Sequence, residues 1–359
     1  VKPRKIGPYK VNDELGRGGM GVVYKGSHEL ITRDVAIKEL PAEIVKKSEE
    51  NLLRFKREAM ALAGFRHQNI VTLYDFIEKD SGYYMVMELV DGITLQDVLK
   101  DGPLPPDVAA VIGAQMASAL EHAHFSRIVH RDIKPANMML SKTGDVKLMD
   151  FGIALDEQLE KLTKAGMAVG TPTYMSPEQV GGEPVDPRSD VYSLGVVLYE
   201  CLSGVKPFTG GNAGEVFAKI RTGKHPALAK VAPRVPAQLK QVVRRAMMRK
   251  PKDRYADVSE LKRALDRYLS NHLEMAPGAL LVAFLKSRGK ISEVEALSRL
   301  TKTEMDRAEQ VQMKPGGSPA TASGGALTKW AWVLVPALTV VLWLTRAAWW
   351  PSVKGMLPR

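Results

Sequence analysis

The stretch "RIVHRDIKPANMMLS" (residues 127–141) sets His130, Arg131, Asp132, Lys134 and Asn137 close together between apolar runs that read as buried strand. By itself that is a polar loop, and polar loops are common. The residues on either side argue for more. A further strand-like run, "DVKLM" (145–149), leads directly into "DFG" (150–152). Asp132, Asn137 and Asp150 then supply side-chain oxygens of the kind that hard divalent cations take, with phosphate oxygens filling the remaining positions.

Towards the N-terminus, "LGRGGMGVVYKG" (15–26) spaces Gly16, Gly18 and Gly21 as G-x-G-x-x-G-x-V. Glycines let a backbone approach phosphate closely and offer its amide N–H groups as donors. Taken alone, the pattern also fits a dinucleotide fold or a plain hairpin turn. A dinucleotide site requires strand, turn and helix, whereas the β-branched "VVY" after these glycines favours strand, turn, strand. The absence of G-x-x-x-x-G-K-[ST] excludes a P-loop NTPase. Next, "VAIK" (35–38) puts Lys38 inside an apolar strand, where an ammonium is costly to bury without a partner. An outward, solvated Lys38 is the simplest reading of that run alone. Glu58, on the apolar helical face that carries Phe55 and Leu62, has the same need for a counter-charge and is the natural partner.

The chain has 359 residues, enough for two lobes and a tail, and its 45% hydrophobic and 25% charged composition is that of a globular protein. A net charge of +11 suits nucleic acid, an anionic membrane or a nucleotide phosphate. With no zinc-finger spacing and no RNP-type aromatic motif, nucleic acid is not expected as a partner. The single cysteine, Cys201, lies in an apolar run and reads as a buried thiol in a reducing compartment. The start, "VKPRKIGPYK", lacks the apolar stretch of a secretory signal.

Short β-type runs separated by turns occupy residues 9 to 40, a helical pattern follows from 49 to 64, and "NIVTLYDFI" and "GYYMVMELV" read as two more strands. Beyond Asp91 the character turns helical, with segments expected at 94–100, 106–126, 188–203, 212–222, 236–249 and 258–271. A strand-rich part followed by a helix-rich part predicts two lobes with a hinge near 88–92.

In this order the motifs resemble those of the bacterial eukaryotic-like (Hanks-type) serine/threonine protein kinases, over roughly Tyr9 to Asn271. The resemblance implies an α+β, two-lobed kinase fold with an antiparallel β-rich N-lobe (9–90) and an α-helical C-lobe (91–271). It implies ATP in the cleft with Mg²⁺, or Mn²⁺, and protein serine or threonine hydroxyls as acceptors. Leu15, Gly16, Arg17, Gly18, Gly19, Met20, Gly21, Val22 and Val23 would cover the nucleotide, and Lys38, paired to Glu58, would hold its α- and β-phosphates. Met87 would be the gatekeeper, and the backbone of Glu88 and Val90 would meet adenine. Asp132 would orient the acceptor hydroxyl and take its proton, Lys134 would neutralise charge on the γ-phosphate, and Asn137 and Asp150 would hold the metal. His130 is assigned to structure, packed beneath the loop.

The resemblance extends to "SPE" (176–178), whose Glu178 would pair with Arg254, and to Asp190, which would anchor the catalytic loop from below. Ser189 and Asp190 are also good helix-capping types. Arg131 would bind a phosphorylated activation segment, in which Thr163, Thr171 and Thr173 are the candidate regulatory residues. Thr163 is the expected site of autophosphorylation; Ala165 stands where many relatives have a second threonine. Thr171 would bridge to Asp132 and Lys134. The alternatives are a nucleotide-binding pseudokinase scaffold and a small-molecule phosphotransferase of related fold. The first would lack residues of the Lys38, Asp132 or Asp150 kind, and the second would lack the Glu178 and Arg254 pair.

Residues 1–8 read as an N-terminal extension and 272–313 as a helical juxtamembrane region, suited to a homodimer or a docked partner. Residues 314–328 read as a flexible linker. All the tryptophans fall between Trp330 and Trp350. As a helix that stretch spans about 31 Å, close to the thickness of a bilayer core, with Trp at both ends and Arg346 near enough to one end to snorkel. A transmembrane helix over 329–350 with a short tail at 351–359 is expected. The lipid bilayer is then a partner, and the kinase domain faces the cytoplasm as a single-pass protein of the inner or plasma membrane, where ATP is found.

Overall fold

Alternation of side chains across strands accounts for the first lobe. The computed structural model of the chain describes residues 5–18, 21–47, 49–79, 82–151 and 172–313, all within the first of two units, Val1–Ser318. Gly19, Met20, Thr163, Thr171, the 314–328 linker and the apolar 329–350 segment lie outside the described residues. The strands β1 (Lys5–Ile6), β2 (Tyr9–Gly18), β3 (Gly21–His28), β4 (Asp34–Pro41), β5 (Leu73–Lys79) and β6 (Gly82–Glu88) form a six-stranded antiparallel sheet. Its order is β1-β2-β3-β4-β6-β5. Helices α1 (Ala42–Lys47) and α2 (Glu49–Ala63) lie between β4 and β5 in the chain.

With a period of two, Val22 and Tyr24 of β3 and Val35 and Ile37 of β4 share one face, where they bury against Tyr84 and Val86. Val23, Ala36 and Lys38 face the other way and line a cleft. Helix α2 also packs on this lower side, placing Phe55 and Ala59 against Leu40 and Met85.

The second lobe opens with β7 (Gly92–Thr94), α3 (Leu95–Leu99) and α4 (Pro106–Phe125), followed by the hairpin β8 (Met138–Ser141) and β9 (Val146–Leu148). Then come α5 (Pro177–Gly181), α6 (Arg188–Ser203), α7 (Ala213–Thr222), α8 (Leu228–Val231), α9 (Ala237–Ala246) and α10 (Val258–His272). The expected helices are all present, with ends shifted by up to three residues. Helices α4 and α6 are apolar nearly all round and are buried accordingly.

Two features depart from the sequence reading. "NIVTLYDFI" becomes a strand only at Leu73, because its first residues join the lobes instead. Leu148 N–H donates to the Asn69 carbonyl at 2.8 Å, and Val71 N–H donates to the Leu148 carbonyl at 3.1 Å. Tertiary contact there overrides local strand propensity. The helical region expected at 272–313 consists of α11 (Pro277–Ser287), α12 (Glu293–Leu297) and α13 (Lys302–Met313), and it is part of the second lobe. Leu280, Leu281 and Phe284 of α11 and Met305 of α13 are buried in the core of the second lobe, so that core runs well past residue 271. Within the stretch from Val294 to Leu300, Leu300 is buried while Val294 and Leu297 are exposed.

Candidate active site

Lys38 is the meeting point of the two lobes. Its Nζ donates to Glu58 Oε1 at 2.9 Å and Oε2 at 3.2 Å, and to Asp150 Oδ1 at 2.9 Å. The Lys38 and Glu58 side chains are 17% and 12% exposed, so the charges are compensated mainly by each other. Burial works against the Lys38 charge, but the carboxylates of Asp150 and Glu58 outweigh it and raise the ammonium above its ordinary value. Burial pushes the Glu58 carboxyl up to about 7 against the pull of Lys38. Lys38 holds Asp150 below the usual carboxylate range against the desolvation that acts to raise it. The solvated reading of Lys38 is thereby excluded.

The segment from 130 to 137 is held from below. Asp190, fully buried, accepts from the amides of His130 at 2.8 Å and Arg131 at 2.9 Å, and from His124 Nε2 at 2.8 Å. Arg131 adopts φ +67°, a strained left-handed conformation that these bonds maintain. Neither Ser189 nor Asp190 caps α6; its N-cap is Pro187, and the Ser189 hydroxyl donates to Glu178 Oε1. His130 is buried, as expected. Its Nδ1 accepts from the Asp132 amide at 3.2 Å, which leaves Nε2–H to donate to the Met149 carbonyl at 3.2 Å. Burial lowers its pKa and keeps the ring neutral.

Above this support, Asp132 Oδ2 accepts from Lys134 Nζ at 2.7 Å and from Asn137 Nδ2 at 2.9 Å. Asn137 Nδ2 also reaches the Asp132 carbonyl at 2.9 Å and the Asp150 carbonyl at 3.5 Å. With the amide nitrogen so committed, Asn137 Oδ1 and the half-exposed Asp150 carboxylate are the oxygens left to hold a cation. No group of three or more His, Cys, Asp or Glu side chains suited to a metal occurs among the described residues. A sparse, all-oxygen set of this kind fits a hard cation that keeps water and phosphate ligands. It does not fit a structural metal.

The cleft has a volume of about 830 Å³. Leu15, Gly16 and Val23 roof it, Met139 and Met149 form its floor, and Met87 through Asp91 make its back wall. The Glu88 N–H is spent on the Thr72 carbonyl at 2.9 Å. Its contact with a base would therefore be through its carbonyl. Two of the expected loop contacts are revised by strand alternation and charge. The Val22 side chain is buried in the upper core, and Arg17 pairs outward with Glu14 at 2.9 Å, so both can offer only backbone. Gly21 is required where it stands: at φ +151°, a Cβ would lie 1.8 Å from the Glu39 carbonyl oxygen.

Arg254 Nη1 and Nη2 meet Glu178 Oε1 and Oε2 at 2.6 and 2.7 Å, with the Arg254 side chain wholly buried. Thr173 is also buried, its hydroxyl donating to the Phe208 carbonyl at 3.1 Å, which makes it an anchor for the segment rather than an accessible hydroxyl. Sequence reasoning missed Gln179, whose side-chain nitrogen donates to the Arg131 carbonyl at 2.8 Å. The signal was present: Ser176 and Gln179 form a capping box, which fixes that side chain at the start of α5. It also missed His124 and Lys147, whose partners are remote in sequence.

A family model described as protein kinase domain matches residues 9–266. The chain is 40% identical over 267 residues to serine/threonine-protein kinase PknH of Mycobacterium bovis, covering 74% of this chain and 45% of that protein. It is 40% identical over 314 residues to serine/threonine-protein kinase PknB of Mycobacterium leprae, covering 83% and 50%. It is 33% identical over 354 residues to serine/threonine-protein kinase PrkC of Bacillus subtilis, covering 95% and 52%. The chain thus spans about half the length of these relatives.

The pair beneath the site gives a stability test. Burial acts to raise the Glu178 carboxyl, but the bonds from Arg254 and Ser189 prevail and hold it below its ordinary value. A lowered carboxylate contributes stability that is present above its unfolded pKa and is lost as pH falls through the folded one. Arg254→Ala leaves that charge buried and unpaired, which costs about 3–5 kcal/mol. Urea unfolding of the variant should show this deficit at neutral pH and a smaller one in acid. A deficit independent of pH would contradict the assignment.

Proposed function

The chain belongs to the protein kinase domain family, and from that premise we propose that it is a serine/threonine protein kinase that transfers the γ-phosphate of ATP to protein hydroxyls. The observation that carries this reading is that the Lys38, Glu58 and Asp150 ion pairs at the cleft adjoin the Asp132, Lys134 and Asn137 cluster, which Asn137 Nδ2 joins to the Asp150 carbonyl at 3.5 Å. Phosphoryl transfer needs little covalent help from a protein; positioning and charge compensation supply most of the rate.

Each group has one task. Lys38, fixed by Glu58, neutralises the α- and β-phosphates. Asp132 accepts a hydrogen bond from the acceptor hydroxyl and takes its proton as the new bond from oxygen to the γ-phosphorus forms and the bond to the leaving ADP oxygen breaks. A carboxylate is a weak base in water, so its main service is to direct the hydroxyl. Lys134, already 2.7 Å from Asp132, is placed to carry charge compensation to the transferring group. Asn137 and Asp150 would hold Mg²⁺, which when bound neutralises charge on the phosphate oxygens. Serine or threonine as the acceptor is supported by "DIKPAN" (132–137) and by Thr171 in the segment before "SPE".

Arg131 is the residue we assign to binding the phosphorylated segment, and Thr163 is the residue we assign to that modification. Residues 329–350 we read as a single membrane span that tethers the kinase, on the strength of their apolar run and flanking tryptophans. Among the described residues no helix is long and apolar enough to cross a membrane.

Asp132→Asn should abolish measurable phosphate transfer to a model protein while ATP binding stays within a few-fold. Phosphosite mapping of the wild-type reaction should place phosphate on Thr163. Retained transfer in the variant would remove the role given to Asp132, and an active enzyme with an unmodified segment would remove the role given to Thr163.

The Glu58 carboxyl, raised to about 7, supplies a pH test. Because its folded pKa lies above its ordinary 4.5, it favours folding at low pH and loses that contribution as pH climbs towards 7. Function runs the other way, since the protonated acid no longer holds the Lys38 ammonium. The KM for ATP should rise as pH is lowered through about 7. In Glu58→Gln it should be high and flat across that range, and a wild-type KM without pH dependence would contradict the coupling.

A further inference from the structure

Hinge residues Glu88 to Asp91 form the back wall of the cleft, and both ends of that wall are gripped by lysines of the β8–β9 hairpin. Lys147 Nζ is 2.6 Å from Glu88 Oε1, and Lys142 Nζ is 3.1 Å from Asp91 Oδ1. The Lys142 amide also donates to the Asp91 carbonyl at 2.9 Å. The same hairpin supplies Met139 to the floor of the cleft and leads into Asp150.

Lys142 has a second carboxylate partner, Glu295 of α12, whose Oε1 lies 2.9 Å from the ammonium. The other oxygen of Glu295 closes the capping box of its own helix, accepting from the Ser292 amide at 2.9 Å and hydroxyl at 2.8 Å. That carboxylate is therefore fixed at one end by α12 and at the other by the hairpin.

The elements behind it are anchored in turn. Helix α11 is buried in the second-lobe core through Leu280, Leu281 and Phe284. Arg288 donates to the Asp101 and Pro103 carbonyls at 2.7 and 2.8 Å, and Lys290 pairs with Asp101 at 2.7 Å. The hairpin turn meets α11 backbone to backbone: Gly144 has φ +88°, and a Cβ there would lie 2.3 Å from the Gly278 carbonyl oxygen. No side chain can fit at that contact to take up a displacement.

We propose that residues 277–305 are a brace for the hinge, with Glu295 a positioning residue for the bound nucleotide that acts through Lys142 on Asp91. The brace lies beyond the matched kinase domain, which ends at residue 266. The Asp91 and Glu295 side chains are 73% and 44% exposed, so these pairs add little to folding stability, and their effect is on the geometry of the back wall.

The proposal rests on the reading of the cleft as an ATP site, and its test separates the two. KM for ATP, kcat and thermal midpoint are measured on the full chain for wild type, Glu295→Lys, Lys142→Met, the double variant and Glu304→Gln. Glu304 is the control: it caps α13 through the amide and hydroxyl of Thr301, each at 2.8 Å, in the same brace. Each of the first two variants should raise KM for ATP roughly threefold, the change expected from a part-exposed ion pair, with kcat and midpoint little altered. The double variant should be no worse than Lys142→Met, because both act through one contact. Glu304→Gln should match wild type.

An unchanged KM in Glu295→Lys, additive shifts in the double variant, or an equal shift in Glu304→Gln would each overturn the brace. A wild-type chain that transfers no phosphate would instead overturn the kinase reading. The brace would then be judged by calorimetric titration of the same variants with ATP, where the same ratios are expected and equal affinities would reject it.

Discussion

An ammonium inside an apolar sheet must be paired, and the fold is arranged around that requirement. Strand alternation turns Lys38 to the lower face of β4, away from Val35 and Ile37, towards the cleft. Its partners come from α2 and from the residue two positions beyond β9, elements far apart in the chain. Bringing Glu58 and Asp150 to Lys38 ties the two lobes across the cleft, beside the backbone bonds that join Asn69 and Val71 to Leu148. A charge cluster held this way is already organised for phosphate, since the lysine needs only to exchange one anionic neighbour for another.

Asp190 plays the corresponding part beneath the cleft. One buried carboxylate accepts from two successive amides and an imidazole, and by doing so maintains the left-handed turn at Arg131. Asp132, Lys134 and Asn137 follow immediately and inherit a fixed backbone. The Glu178 and Arg254 pair supports the same region from the other side, with Gln179 reaching the Arg131 carbonyl. Asp132 and Lys134 are thus partly exposed while their supports are buried, which suits groups that must meet a substrate without moving.

Much of this was legible in the sequence because each charged residue in an apolar run poses a question that only a partner can answer. Lys38 and Glu58 could be paired on that ground alone, and the helices were readable from periodicity. The roles of Arg254 and Asp190 came only through the resemblance, since residue type and spacing also allowed a surface charge or a helix cap. Contacts remote in sequence left no local trace: Lys147 on Glu88, Lys142 between Asp91 and Glu295, and the docking of Asn69 to Val71 on β9. The burial of the 277–305 region could not be read for a related reason. Its apolar residues gave a helical spacing, but nothing in the spacing says that Phe284 fills a core assembled by residues far earlier in the chain.

The central claim is that the Lys38 ion pairs make this cleft a site for phosphate transfer to protein. It is tested most directly by following label from [γ-³²P]ATP into a model protein under single-turnover conditions, for the full chain and for Lys38→Met, with identification of the labelled residues. Acid-stable label on serine or threonine, falling by about a hundredfold or more in the variant, is the predicted result. Equal labelling by both proteins, or wild-type label recovered only as inorganic phosphate, would contradict it.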